Sequence, residues 1–110
     1  MSDDLAALRS ALVSRLEALR AASETTADTR KPVALDQTAV GRISRMDAMQ
    51  VQAMAVATEQ RRRAETVRVE AAIARIDEGE YGYCISCGEA IPAKRLEIDP
   101  TVAACIACAS

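Results

Sequence analysis

The sequence feature that most constrains this chain of 110 residues is the series Cys84-Ile85-Ser86-Cys87, a spacer of 17 residues, and Cys105-Ile106-Ala107-Cys108. Two cysteines so close together bring both sulfurs to one ion, and a spacer of roughly 15–20 residues lets two such knuckles meet as a tetrahedral four-thiolate zinc site. Gly88 directly follows the second cysteine, where a residue free to take positive φ helps turn backbone N–H groups toward sulfur. Gly82, Pro92 and Pro100 bracket the knuckles as turns, and Ile91, Leu96 and Ile98 are expected to supply a miniature core. So small a core cannot offset chain entropy, which makes one bound ion the source of the module's stability. With all four ligands supplied by protein, no position is open for water, so the expected zinc is structural rather than catalytic. A pair of redox-active C-x-x-C units is the competing reading, but neither sits in a βαβ pattern.

The rest of the chain cannot build a thick core. Apolar residues make up 50%, but 23 of them are Ala, and there is no Phe or Trp and only two Tyr. Thin helix-on-helix packing, in which Ala lets backbones approach, suits this composition. The chain has no His, which excludes Ser-His and Cys-His nucleophilic pairs and imidazole acid–base chemistry, so no catalytic residue is assigned and a non-enzyme is expected. The net charge of -2 is spread evenly. Direct, sequence-specific DNA binding lacks the basic footprint that phosphate contacts require. The acidic start Met1-Ser2-Asp3-Asp4 leads into no apolar signal-peptide region, and the longest uncharged central run, Ala48 to Thr58, is too short to span a bilayer. A cytoplasmic chain with reduced thiols and no membrane partner is therefore expected.

Leu5, Leu8, Leu12, Leu16 and Leu19 recur at steps of three and four, the period of one helix face, and predict a helix over about 3–24 with Ser2 as N-cap. A polar stretch containing Pro32 predicts a loop over about 25–37. A second helix is expected over about 38–78. Its apolar seam is read as Ala39, Ile43, Met46, Ala53, Ala57, Ala64, Val67, Ala71 and Ala74, interrupted by Gln50 and Gln60. Gly79 is placed to cap its C-terminus. The fold class is thus mostly α: an antiparallel helical hairpin of coiled-coil type over 1–79, then a small four-cysteine zinc-finger module over 80–110. The half from Arg61 to Glu78 is expected to find no partner in the first helix. Arg61-Arg62-Arg63, with Glu59, Glu65 and Glu70 nearby, reads as a solvated, salt-bridged face.

The segment Gly79-Glu80-Tyr81-Gly82-Tyr83-Cys84-Ile85-Ser86-Cys87-Gly88-Glu89, followed by Ile91-Pro92, Arg95-Leu96-Glu97, Pro100 and Cys105-Ile106-Ala107-Cys108, resembles the four-cysteine zinc finger of the DksA/TraR family. The resemblance covers roughly residues 76–108. It implies zinc held by Cys84, Cys87, Cys105 and Cys108, and a bacterial transcription regulator that binds RNA polymerase directly by inserting the hairpin tip into its secondary channel. Family members that act at the polymerase active site carry a tip motif of Asp, two residues, Asp, one residue, Ala. Here Asp36-Gln37-Thr38-Ala39-Val40-Gly41 is the best candidate: Asp36 matches, while Ala39 and Gly41 stand at the other two places. Asp36, within a tip near Leu35 to Arg42, is therefore the candidate effector residue. The alternative from another class is a zinc-dependent protein-interaction or thiol-sensing module that uses the Arg61–Ile76 helix face for a different partner.

Overall fold

The computed structural model describes residues 3–31 and 42–109. Among these residues four helices follow in order: α1 (Asp3–Thr25), α2 (Ala27–Arg30), α3 (Arg42–Glu78) and α4 (Ala93–Ile98). Among the described residues the only β pairing is an isolated bridge between Tyr83 and Ala90. The 37 residues of α3 make a rod of about 55 Å.

α1 lies antiparallel on α3, and its leucine row is the buried face. Leu12 and Leu16 are buried against Val69, Ala72 and Ile76, with Leu8, Leu19, Ile73 and Tyr81 packed around them. Val69 and Ala72 are wholly inaccessible to solvent. Side chains flanking this row tie the same register: Arg9 forms a two-pronged pair with Asp77 at 2.7 and 3.1 Å, Arg15 pairs with Glu65, and Arg20 reaches Glu70 at 3.4 Å. Exposed pairs of this kind contribute little net stability. They fix alignment, and apolar burial supplies the driving force.

The structure corrects two expectations for α3. Ala64, Val67, Ala71 and Ala74 face solvent, and the helix instead presents Glu59, Val69, Ala72 and Ile76 inward. α3 is apolar on two opposite sides. The leucines of α1 take the side with the branched residues Val69, Ile73 and Ile76, which bury more carbon than alanine does. The second correction concerns position along the rod. The half from Arg61 to Glu78 is the half that α1 covers, because the pairing closes at the base, between Arg9 and Asp77. The connection between α1 and α3 is long enough for the leading half of α3 to run past the end of α1.

The expected loop contains the short helix α2, and tertiary contacts account for it. The hydroxyls of Thr25 and Thr26 donate back to the carbonyls of Ala21 and Ala22 at 2.8 and 2.9 Å, closing α1. Arg30 then reaches back to the Ser23 carbonyl at 2.9 Å and the Thr26 hydroxyl at 2.7 Å. Both ends of this elbow meet Glu59, which is only 3% exposed. The Glu59 carboxylate accepts hydrogen bonds from the Ser23 hydroxyl and from Arg62 at 3.0 Å, and pairs with Arg30 at 2.8 Å. Arg62 therefore turns inward, while Arg63 stays exposed and lies 3.9 Å from the same carboxylate. Lys31, which precedes Pro32, leaves α2 in extended conformation (φ -64, ψ 149), as the steric demand of the following proline ring requires.

Two measurements check this packing. Ile76→Ala, on the inner face, is expected to destabilise the hairpin by about 2–4 kcal/mol, whereas Val67→Ala, on the outer face, changes stability by less than about 0.5 kcal/mol in the same urea titration. Equal losses would mean that the buried face is wrongly assigned. The second is an acid titration. The Ser23 hydroxyl first, then Arg30 and Arg62, hold the Glu59 carboxyl below its ordinary range against the opposing effect of burial. Its contribution is therefore complete above the unfolded-state pKa near 4.3 and disappears as pH falls through the lower folded-state value. Glu59→Gln is expected to be less stable than wild type at neutral pH, with the two stability curves converging in acid.

Candidate metal centre

The metal-binding module starts where α3 stops. Gly79 takes φ +77; its N–H donates to the Ile76 carbonyl at 3.2 Å and that of Glu80 to the Arg75 carbonyl at 2.8 Å. These two bonds close the helix as a Schellman motif, which a β-carbon at Gly79 would strain. The chain then doubles back on itself: the N–H of Cys84 donates to the Glu89 carbonyl and that of Ile91 to the Gly82 carbonyl, both at 2.8 Å. Gly88, at φ +77, supplies the turn inside the first knuckle and donates to the Cys84 carbonyl at 2.9 Å. In the second knuckle the N–H groups of Cys108 and Ala109 both donate to the Cys105 carbonyl. A bond of 2.9 Å from the Ile85 N–H to the Ala103 carbonyl joins the two knuckles.

This backbone brings together the four cysteines singled out by spacing. The sulfurs of Cys84, Cys87, Cys105 and Cys108 all lie within 4.8 Å of one another and could hold one metal ion. Cys87 Sγ and Cys105 Sγ are 3.7 Å apart. A tetrahedral zinc with bonds of about 2.3 Å has sulfur–sulfur edges of about 3.8 Å, so the donor set fits zinc in number, chemistry and spread. Cys84 is buried, Cys105 half-buried, and Cys87 and Cys108 are exposed.

The electrostatics of the four thiols also call for a cation. Backbone amides of Cys105, Cys87 and Ser86 stabilise the Cys84 thiolate and bring its pKa down to about 6. At Cys108 the neighbouring thiols of Cys105, Cys84 and Cys87 act in the opposite direction and push it up to about 12. Cys87 is also raised: the Glu89 amide favours its anion, but the Cys84 and Cys105 thiols together with burial outweigh that. Without metal, Cys84 ionises easily while Cys87 and Cys108 are held back. A divalent cation removes that restraint, which is why it binds with release of protons.

Several residues that seat this module were not evident from spacing. Tyr81 packs on the hairpin core, and its hydroxyl donates to the Pro100 carbonyl at 2.8 Å. Arg75, in the last turn of α3, donates to the Thr101 carbonyl at 3.3 Å. Arg95 on α4 donates to the Ala104 carbonyl at 3.1 Å, just before the third cysteine. Asp99 accepts from both the N–H and the hydroxyl of buried Thr101. The Asp-x-Thr pattern of that last turn is legible in the sequence as an Asx turn; the other contacts join segments distant along the chain. Of the expected miniature core, Ile91 is buried and Leu96 half-buried, but Ile98 is 87% exposed. Two residues along a helix as short as α4 is a turn of about 200°, so Leu96 and Ile98 cannot share its inner side. Asp36 lies outside the described residues, as does the expected tip except for Arg42. Among the described residues no helix is long and apolar enough to cross a membrane.

Comparison with known proteins agrees with this geometry. Residues 79–110 match the family of prokaryotic dksA/traR C4-type zinc fingers. The chain is 44% identical over 41 residues to the RNA polymerase-binding transcription factor DksA of Haemophilus influenzae, a match covering 37% of this chain and 28% of that one. The corresponding protein of Escherichia coli K12 is 39% identical over 41 residues, covering 37% of this chain and 27% of its own. The matched stretch thus spans little more than a quarter of the length of these curated relatives. The structure of transcription factor DksA2 from Pseudomonas aeruginosa superimposes with a TM-score of 0.71 at 22% identity, covering 97% of this chain and 81% of that one. Residues 79–110 are a zinc finger of the dksA/traR C4 type, and the helical hairpin that carries it shares the fold of DksA2.

Proposed function

We propose that Cys84, Cys87, Cys105 and Cys108 hold one structural zinc ion and that the chain is a non-enzymatic, cytoplasmic regulator that binds bacterial RNA polymerase, its hairpin end entering the secondary channel. The observation that carries this reading is the convergence of four thiols at the base of a hairpin with the DksA2 fold. Bound zinc would supply cross-linking of the two knuckles, with no chemistry of its own, since every donor is a protein thiolate.

The residues around the finger have a mechanical role in this reading. Tyr81 and Arg75 hold the finger to α3 through the carbonyls of Pro100 and Thr101. α3 then carries the opposite end of the hairpin about 54 Å away. The Glu59 cluster fixes the elbow between α1 and α2 on that rod, so the chain beyond the elbow leaves from a defined point. Asp36, which lies between α2 and α3 in the sequence, is the proposed effector carboxylate, acting by charge.

Four outcomes test the proposal. Protein purified under reducing conditions is expected to contain one equivalent of zinc; less than about half an equivalent overturns the ligand assignment. Cys84→Ser should raise amide exchange across residues 80–109 more than in α1 and α3, whose packing is independent of the ion; a uniform increase would contradict this. Purified bacterial polymerase should bind the chain and lose it to a competitor for the secondary channel, and absence of binding removes the polymerase reading. Asp36→Asn should keep binding but weaken the transcriptional effect. If Asn acts as wild type, Asp36 has no effector role.

A further inference from the structure

The outer face of α3 carries a pattern that the hairpin does not use. α1 covers the side with Val69, Ala72 and Ile76. Opposite it, Met46, Gln50, Ala53, Ala57, Gln60 and Ala64 follow one another at alternating steps of four and three, the spacing of a helix-pairing seam. No charge interrupts this row, and every member but the half-buried Ala57 is exposed. Met46, Met49 and Met54, on and beside it, are 56, 52 and 70% exposed. Large apolar side chains gathered in this way mark an interaction surface.

We propose that this face pairs with itself: a second copy of the chain packs antiparallel on it, α3 against α3, as a two-fold symmetric dimer. The two polar members of the seam select the register. An antiparallel pair can set Gln50 opposite the partner's Gln60, so that each amide meets an amide, whereas a shift of one heptad sets each glutamine against an apolar residue. In the matched register Ala57 faces the partner's Ala53, and these small side chains let the helices approach to about 8 Å. Met54 then lies near the symmetry axis against its own copy.

Charge complementarity selects the same occupant. Asp47 and Arg61 lie on one side of the seam, two heptads apart. Among the described residues Asp47 forms no ion pair, and Arg61 reaches only the Thr58 hydroxyl, at 3.1 Å. The antiparallel register brings Asp47 to the partner's Arg61, twice by symmetry. A parallel pair would also match the glutamines, but it sets Arg63 against the partner's Arg68 on both sides. The paired stretch is about 27 Å long, short of the roughly 800 Å² per partner of standard stable interfaces, so the dimer is reversible and forms as concentration rises. The inference is independent of the polymerase reading.

Sedimentation equilibrium on the zinc-loaded full chain under reducing conditions tests it. The mass is expected to rise from 11.7 kDa toward twice that value between micromolar and millimolar concentration. Ala53→Glu, on the exposed seam, should hold the chain monomeric with unchanged helicity. Asp47→Arg and Arg61→Asp should each weaken association roughly tenfold, and the double variant should restore it. A chain that stays monomeric to about 1 mM overturns the proposal and leaves the face to a different protein. Self-association that survives Ala53→Glu, or that the double charge exchange does not recover, overturns it equally.

Discussion

The molecule is organised by the contact of Leu12 and Leu16 with Val69, Ala72 and Ile76 at the base of the hairpin. It sets which side of α3 faces inward, how far along the rod α1 sits, and where the finger attaches. Tyr81 belongs to the same apolar cluster, and its hydroxyl grips the Pro100 carbonyl, so the hairpin core and the turn between the two knuckles form one connected body. With α1 removed, the inner face of α3 would lose its cover and the finger would lose the surface on which Tyr81 rests.

The finger and the hairpin are stable for different reasons. The hairpin buries a row of branched aliphatic side chains, and the gain scales with apolar area. The finger buries little: among its described residues only Cys84, Ile91 and Thr101 are buried. Its four thiols lie within 4.8 Å of one another, and the crowding pushes the Cys108 thiol up to about 12. The same crowding that is unfavourable without metal is the preorganisation that lets a divalent cation tie the knuckles together.

Glu59 is the polar counterpart of the leucine row. A carboxylate at 3% exposure persists because Ser23, Arg30 and Arg62 all reach it, and a buried charge without such partners would be costly. The three partners come from the end of α1, the end of α2 and the next turn of α3. The cluster therefore fixes the elbow by geometry, at the point where apolar packing between α1 and α3 ends.

Local rules were enough for much of this. The metal module was legible because C-x2-C is a local device: two residues of spacing decide whether two sulfurs can share an ion, whatever surrounds them. The leucine row of α1 was legible because one side of that helix is much more apolar than the other, and Gly79 because a helix must end in an achievable backbone conformation. The inward face of α3 was not legible. Its two sides carry apolar rows of similar regularity, and the alanine-rich row has the cleaner spacing. Only docking of α1 discriminates between them, by favouring the larger buried area of Val69, Ile73 and Ile76. The elbow was hidden for the same reason: the polar sequence from Thr25 to Lys31 reads as loop, and Ala27–Arg30 becomes helical where Arg30 finds Glu59, 29 positions further along the chain. Periodicity reports how apolar a face is. Which apolar face is buried depends on what arrives to cover it, and that is a property of the tertiary structure.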